Sequence, residues 1–360
     1  MIRAAEGAAD WSPDDLVADE GWIIALDAGA RADLRDAVAG AAGSGRGQME
    51  LLAADFPLGR AAPALARAIN EVNEGRGIAL VKGLPADLSE EDFRLLTWGI
   101  GLHLGVARPQ NKASDYLTAV RDTGMTSKSG VGRGYNTRSG LDFHTDFADV
   151  VALSCLRTAK EGGQSKVVSS YRSYRLLCES EPNLARILYE PFWYSRQWEL
   201  AHDESPTYPC SVFATHKGEL FVRYVRKNIT NAQELRGVPR LEQRQLEALD
   251  RFDALVSAPE SVYSMSLEPG DLQLLNNFRV LHSRSEFIDH IEPERKRLLF
   301  RLWLSVPGSH ELPGEWTPCH GDVRAGAPRG GVRGENYDAS HQIFERRRAH
   351  ELGMTYEKQD

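Results

Sequence analysis

Apolar positions recur at helical spacing over the first hundred residues and in short runs separated by turn residues after about residue 140. Ser12-Pro13-Asp14-Asp15 predicts a helix start, with Ser as cap, Pro in the first turn and acids beside the positive helix end. Helical stretches are predicted over about 30–41 and 62–74. Glu74-Gly75-Arg76-Gly77 breaks that pattern, and Ile78-Ala79-Leu80-Val81, before Lys82-Gly83-Leu84-Pro85, reads as a buried strand. Ser89-Glu90-Glu91-Asp92 opens a further helix running to about Leu102.

The segment 105–140 is rich in Gly, Ser, Arg and Asn and reads as a long loop, of a length more often functional than idle. Strand-like runs follow at Val150–Leu156, Ser165–Ser169, Leu220–Val225, Val262–Leu267, Asp271–Leu275 and Leu298–Val306. One strong helix, about 241–256, interrupts them with Leu241, Leu246, Leu249, Phe252 and Leu255 on one side. After Pro307 the chain turns Gly/Pro-rich, and a charged helix is predicted at 338–352. Many short strands framed by helices predict an α+β chain with a mainly β core: a jelly-roll sandwich with helical buttresses. We expect a single catalytic domain over 1–360, comprising a mostly helical extension (1–75), the jelly-roll core with helical insertions (76–306) and an irregular tail with its helix (307–360).

Composition narrows the function. The 360 residues, 42% hydrophobic, suffice for a sizeable core. A net charge of −8, with mixed signs and no long basic patch, argues against a nucleic-acid partner. The four cysteines, Cys155, Cys178, Cys210 and Cys319, form no CxxC pair, which disfavours a disulfide framework or structural zinc site. The N-terminus lacks an apolar core of signal-peptide length, and no apolar run approaches the ~20 residues of a membrane helix. A cytoplasmic protein with no nucleic-acid or membrane partner is expected, with a homo-oligomer left open.

The sharpest local chemistry is Leu141-Asp142-Phe143-His144-Thr145-Asp146-Phe147. In extended backbone, residues two apart face the same way, so His144 and Asp146 converge. An imidazole and a carboxylate aimed together make two-thirds of a 2-His-1-carboxylate metal face. HxD alone is a weak signal, and its bland reading is two polar residues beside a turn. His282, closing the apolar run Leu274-Leu275-Asn276-Asn277-Phe278-Arg279-Val280-Leu281, is the best third ligand, although such histidines are usually satisfied core residues. The other eight histidines stand in weaker contexts. Arg297 and Arg301, four apart, share one face of a strand, where a guanidinium is costly unless it meets an anion. An internal salt bridge is the equal alternative for either alone. Glu161-Gly162-Gly163-Gln164-Ser165 permits a tight turn, and Ser165 could offer its hydroxyl to the same anion.

These residues resemble the taurine dioxygenase-like (TauD/TfdA) family of iron(II)/2-oxoglutarate oxygenases. The resemblance covers roughly 75–335 and rests on IALVKGLP, FHTDFADVVALSCLRTAKEGGQSKVVSS, LEPGDLQLLNNFRVLHSRSEF and RKRLLFRLWLS, in the family's order, with Asp146 and His282 separated by 136 positions. It implies a double-stranded β-helix (jelly roll, clavaminate synthase-like) with helical buttresses. It implies that His144, Asp146 and His282 bind Fe(2+), and that Arg297, fifteen positions after His282, pairs with the distal carboxylate of the cosubstrate 2-oxoglutarate. Ser165 is expected to support that carboxylate, and Arg301 to face substrate or cosubstrate. The implied activity is a dioxygenase that couples O2 and 2-oxoglutarate, released as succinate and CO2, to oxidation of a small organic molecule. Asp146 favours hydroxylation, or hydroxylation-triggered cleavage, over halogenation, because related halogenases carry a small residue there; desaturation and ring formation stay open.

For the substrate, Tyr135 and Asn136 precede the HxD motif as a plausible cover, and Arg223 or Arg226, alternating along a strand, could meet an anionic group. A solvated strand face with salt bridges is the more ordinary reading of both arginines. The rivals are another metal-dependent cupin-like enzyme, which would not need Arg297 or Ser165, and a non-catalytic binding protein retaining the fold. The absence of a basic tail disfavours an oxygenase acting on histones, and the absence of a cysteine-rich N-terminal module disfavours a γ-butyrobetaine hydroxylase-like enzyme.

Overall fold

The computed structural model describes residues 7–124 and 136–356. Its largest sheet orders the strands Ile23–Ala25, Ile78–Lys82, Leu272–Asn276, Val150–Arg157, Leu298–Ser305 and Val106–Arg108, with Leu117–Val120 also paired to Leu298–Ser305. Ile23–Ala25 joins in parallel and the other pairs are antiparallel. The central strands are nearly unbroken apolar runs because both faces of the sheet are covered.

Along Leu298–Ser305 the two faces separate with period two. Leu298, Phe300, Leu302 and Leu304 pack with Leu34, Leu65, Phe93 and Leu96 of the helices Ala28–Gly43, Ala62–Glu74 and Glu90–Leu104. Leu299 and Trp303 enter a second core on the opposite face. A three-stranded antiparallel sheet, Tyr263–Met265, Ser165–Ser169 and Val280–Arg284, shares that second core through Met265, Val167, Val168 and Leu281. The functional cavity opens between these sheets.

Most elements match the sequence pattern. Ser12 caps Pro13–Ala18 in a capping box with Asp15, Ser89 caps Glu90–Leu104, and Asp338 caps Ala339–Glu351. Gln243–Ser257 buries Leu249 and Phe252. Two expectations fail. First, residues 105–120 are not loop: Val106–Arg108, Gln110–Asn111 and Leu117–Val120 are strands. Their polar side chains pair with one another or with the C-terminal helix, so local composition did not report their burial. Thr118 Oγ1 donates to Gln110 Oε1 at 2.7 Å, and Arg108 meets Glu345 at 2.7 Å. Second, the strand expected over Leu220–Val225 is Glu219–Val222, and Arg226 instead opens the helix Arg226–Ala232. The hairpin Pro191–Ser195/Thr207–Ser211 and the helix Ser170–Ser180 carried no pattern singled out above.

The irregular tail is anchored by a buried ion pair. Arg329 Nε donates to Asp149 Oδ1 at 2.6 Å, and both side chains are almost fully enclosed. Arg329 also donates to His310 O at 2.8 Å, while Val306 N–H donates to Asp149 Oδ2 at 3.1 Å. Asp149 stands three positions after Asp146, so this pair fixes where the HxD segment enters the sheet. Arg329→Met leaves a buried carboxylate without its cation, and we expect a loss of about 3–5 kcal/mol in urea unfolding. A loss under about 1 kcal/mol would mean that water replaces the guanidinium at little cost.

Candidate metal centre

His144 and His282 face each other as an isolated antiparallel bridge. His144 N–H donates to His282 O at 3.0 Å, and His282 N–H donates to His144 O at 2.9 Å. This reciprocal pair of hydrogen bonds sets the imidazoles side by side, with ring centroids 4.3 Å apart. Asp146 brings its carboxylate within 3.8 Å of His144 Nε2 and 3.6 Å of His282 Nε2. The three donor atoms lie within 4.8 Å of one another.

The donors fit a divalent ion. His144 Nδ1 is 2.8 Å from Asp142 O, a carbonyl that can only accept, so Nδ1 carries the proton and Nε2 keeps its lone pair toward Asp146. Trp303 Nε1 donates to Asp146 Oδ2 at 2.8 Å, and Asp146 N–H donates to Asn277 Oδ1 at 2.8 Å. Burial pushes the His144 imidazole down to about 4, and His282 beside it acts in the same direction. Burial also pushes the Asp146 carboxyl up, but Arg301 and the two histidines overcome it and hold the group far below the usual carboxylate range. A neutral imidazole and an ionised carboxylate are the forms that bind metal. Two nitrogens and one oxygen converging from one side would hold iron(II) as a facial triad and leave positions for other ligands.

Thr145, between the ligands, holds their spacing. Its N–H donates to Tyr224 O at 2.8 Å. Arg223 donates to Thr145 O at 2.9 Å and to its Oγ1 at 3.0 Å, and lies over the ring of Phe147 at 5.0 Å. Arg223 is thus not on a solvated strand face; it is 3% exposed, braces the HxD segment and, like Arg226, lines the cavity beside the triad. Arg226 pairs with Asp250 at 2.6 Å and Asp253 at 3.0 Å.

The cavity is about 410 Å³ and runs from the three ligands to a wall made by Ser165, Gly163, Arg284 and Arg297. Arg297 is 6% exposed, and one of its terminal nitrogens is buried without a hydrogen-bond partner. Burial pushes its pKa down. The double-glycine turn makes room for it. Gly162 and Gly163 both have positive φ (74° and 71°); a Cβ on Gly162 would sit 2.2 Å from Glu286 O, and one on Gly163 would sit 3.2 Å from Arg297 Nε. Ser165 Oγ lines the same wall but donates its one proton to Gln273 Oε1 at 2.9 Å, so the hydroxyl expected to meet the anion has to turn from Gln273 to do so. Arg301 lies nearer the ligands: its Nε donates to Gln110 Oε1 at 2.7 Å, a terminal nitrogen is 3.6 Å from Asp146 Oδ2, and its guanidinium stacks on Trp303 at 4.8 Å.

Of the substrate candidates, Tyr135 lies outside the described residues. Asn136 accepts from Thr123 N–H and Oγ1 through its carbonyl, both at 3.2 Å. Four contributors went unread in the sequence: Trp303, Asn277, Gln110 and Arg284. Trp303 had a usable signal, because it continues the two-residue spacing of Arg297, Leu299 and Arg301 that faces the cavity. Gln110 and Asn277 act across long sequence separations and had none.

Trp303→Phe removes one hydrogen bond to Asp146 and keeps most of the ring. Metal affinity is expected to fall about 10-fold or more, read by cobalt(II) titration, while the urea midpoint changes little. Unchanged affinity would show that the indole N–H does not orient the carboxylate.

Comparison with known proteins agrees with this geometry. The model of the taurine catabolism dioxygenase TauD, TfdA family matches residues 45–303. FR-33289 synthase of Streptomyces rubellomurinus is 31% identical over 323 residues, covering 87% of this chain and 94% of that protein. The taurine hydroxylase-like protein SAT17 of Stachybotrys chartarum is 25% identical, with 86% of each chain covered. Asparagine oxygenase in complex with Fe(II), 2S,3S-3-hydroxyasparagine and succinate shares the fold at a TM-score of 0.61 and 17% identity, over 79% of this chain and 93% of its own. Non-heme iron oxygenase OrfP in complex with Fe and alpha-ketoglutaric acid does so at 0.57 and 15%, over 79% and 94%. The chain belongs to the TauD/TfdA family of dioxygenases.

Proposed function

We propose that His144, Asp146 and His282 hold the iron(II) of this dioxygenase, that Arg297 holds the distal carboxylate of 2-oxoglutarate with Ser165 turning its hydroxyl from Gln273 to assist, and that the reaction is hydroxylation of a small organic molecule. One observation carries this reading. A triad of metal-binding side chains and a buried guanidinium with an unpartnered nitrogen line the same cavity. The first needs a cation, the second an anion, and a keto acid with a second carboxylate spans the two. When bound, iron supplies activation of O2 coupled to loss of CO2 from the keto acid. The chain supplies orientation, exclusion of water and charge.

Each residue has a role that follows from its surroundings. Trp303 and Asn277 fix the Asp146 carboxylate and main chain. The Asp142 carbonyl fixes the tautomer of His144. Asp146 fills a protein position on the metal, which favours hydroxylation over halide transfer. Arg301, beside both Asp146 and the cavity, is the cation nearest the reacting region and the residue we assign to substrate positioning. Arg223 and Arg226, both held by scaffold partners, we read as braces. The two sheets that enclose the cavity we read as the halves of a double-stranded β-helix. A small substrate is supported by the cavity volume of about 410 Å³ and by the hydroxyasparagine carried by the asparagine oxygenase neighbour. No described helix is long and apolar enough to cross a membrane.

With iron(II), ascorbate and 2-oxoglutarate, the protein is expected to release succinate when its substrate is supplied. His144→Ala abolishes that release. Anaerobic 2-oxoglutarate is expected to give a weak visible charge-transfer band. If the wild type shows neither band nor 2-oxoglutarate binding, and Arg297→Ala changes nothing, the cosubstrate assignment is overturned.

A further inference from the structure

We propose that Arg284 is a second anchor for the distal carboxylate of 2-oxoglutarate, and that it ties cosubstrate binding to the main-chain segment leading into the HxD motif. The inference rests on the cosubstrate reading above. Arg284 lies two residues beyond His282 on the strand Val280–Arg284, so both side chains leave the same face of that strand. It is 6% exposed and lines the cavity with Arg297. Both guanidiniums pack on one ring, Phe287, at 4.9 and 5.2 Å.

Two buried cations beside one aromatic ring need a counter-charge. Among the described residues, no carboxylate forms an ion pair within 4.0 Å of either. The acids whose charge reaches the pair are Asp122, engaged by Arg138 at 3.0 Å, and Asp289, whose Oδ1 accepts from the Arg297 main-chain N–H at 2.8 Å. Arg284 Nε is buried without a hydrogen-bond partner, as is a terminal nitrogen of Arg297. The other end of Arg284 is held by main-chain carbonyls. One terminal nitrogen donates to Thr137 O at 2.7 Å and to Ser139 O at 2.6 Å. The Arg284 carbonyl accepts from Leu141 N–H at 2.9 Å, and Ser283 Oγ donates to Leu141 O at 2.6 Å. Arg284 therefore touches the cavity with one edge and residues 137–139 with the other, three positions before the segment reaches Asp142, whose carbonyl sets the His144 tautomer. A carboxylate bound at its free edge would hold the guanidinium in place and, through it, the main chain that positions a metal ligand.

The test compares 2-oxoglutarate with 2-oxopentanoate, the same keto acid with a methyl group in place of the distal carboxylate. Affinities are measured anaerobically on the iron(II) protein by the charge-transfer band, and on the manganese(II) protein by calorimetry. Arg284→Gln is expected to weaken 2-oxoglutarate binding roughly 10- to 100-fold and to leave 2-oxopentanoate within about threefold, as the loss of one charge-assisted bond implies. Arg284→Lys is expected to keep most of the preference for the diacid. An equal loss for both ligands would reduce Arg284 to a brace of residues 137–139, and no loss for either would leave Arg297 as the sole anchor. Each of these outcomes overturns the proposal. If Arg297→Gln also fails to discriminate the two keto acids, the underlying cosubstrate reading falls instead. A wild-type measurement guards against variants that misfold: amides of residues 136–141 should exchange more slowly with 2-oxoglutarate than with 2-oxopentanoate, each at saturation. Equal protection would refute the coupling.

Discussion

The pair of main-chain hydrogen bonds between His144 and His282 is the constraint on which the site depends. It joins positions 138 residues apart in the chain and makes one histidine's place a function of the other's. Side-chain rotamers alone could not hold two imidazoles at a common point, because each would have to forfeit torsional freedom without a compensating contact. The bridge removes that freedom at the backbone. What remains is to hold each flank, and the structure does so from both ends. Thr145 is pinned to Tyr224 and Arg223, and Asp149 to Arg329.

The sheet beneath the site works by keeping its two faces chemically distinct. Even-numbered positions of Leu298–Ser305 supply only apolar side chains to the helical side. Odd-numbered positions, with Arg297 just ahead of the strand, supply Leu299, Arg301 and Trp303 to the cavity. Burying guanidiniums costs free energy unless they are paired, so a strand that carries them inward stores a demand for anions. Arg301 has Asp146 within 3.6 Å and Gln110 at 2.7 Å. Arg297 and Arg284 have no such carboxylate among the described residues.

Much of this was legible in the sequence because it is local. Caps, amphipathic helices and apolar strands follow from neighbours a few positions apart, and HxD converges because extended backbone alternates. The joining of His282 to that motif is not local, and it became readable through the family resemblance of four ordered segments. The polar strands around 106–120 stayed hidden for a related reason. Arg108, Gln110 and Thr118 look like loop residues by composition, yet each is buried against a partner far away or across a short turn. Composition reports solvent preference, and a satisfied buried polar group defeats it. Arg223 misled in the same way: its alternation with apolar neighbours suggested an exposed face, whereas Thr145, Tyr208 and Phe147 enclose it.

The distribution of charge along the cavity also explains its direction. Near the metal ligands, Asp146 offsets Arg301, and a divalent ion there adds positive charge that a keto acid's own carboxylate can meet. At the far wall, two arginines sit on Phe287 and form no ion pair with a carboxylate among the described residues. A ligand carrying acid groups at both ends is attracted to both regions, but its ends are not equivalent: one end also offers a keto oxygen, which suits the metal, while the other is a simple carboxylate, which suits the planar fork of arginine. Reversing the ligand would leave the keto oxygen against guanidiniums and the metal with a single carboxylate. On the proposed reading, the asymmetry of the walls therefore selects one orientation before any substrate arrives. It places the reacting end beside Asp146 and leaves the open side of the triad, with Arg301 at its edge, to the molecule that is oxidised.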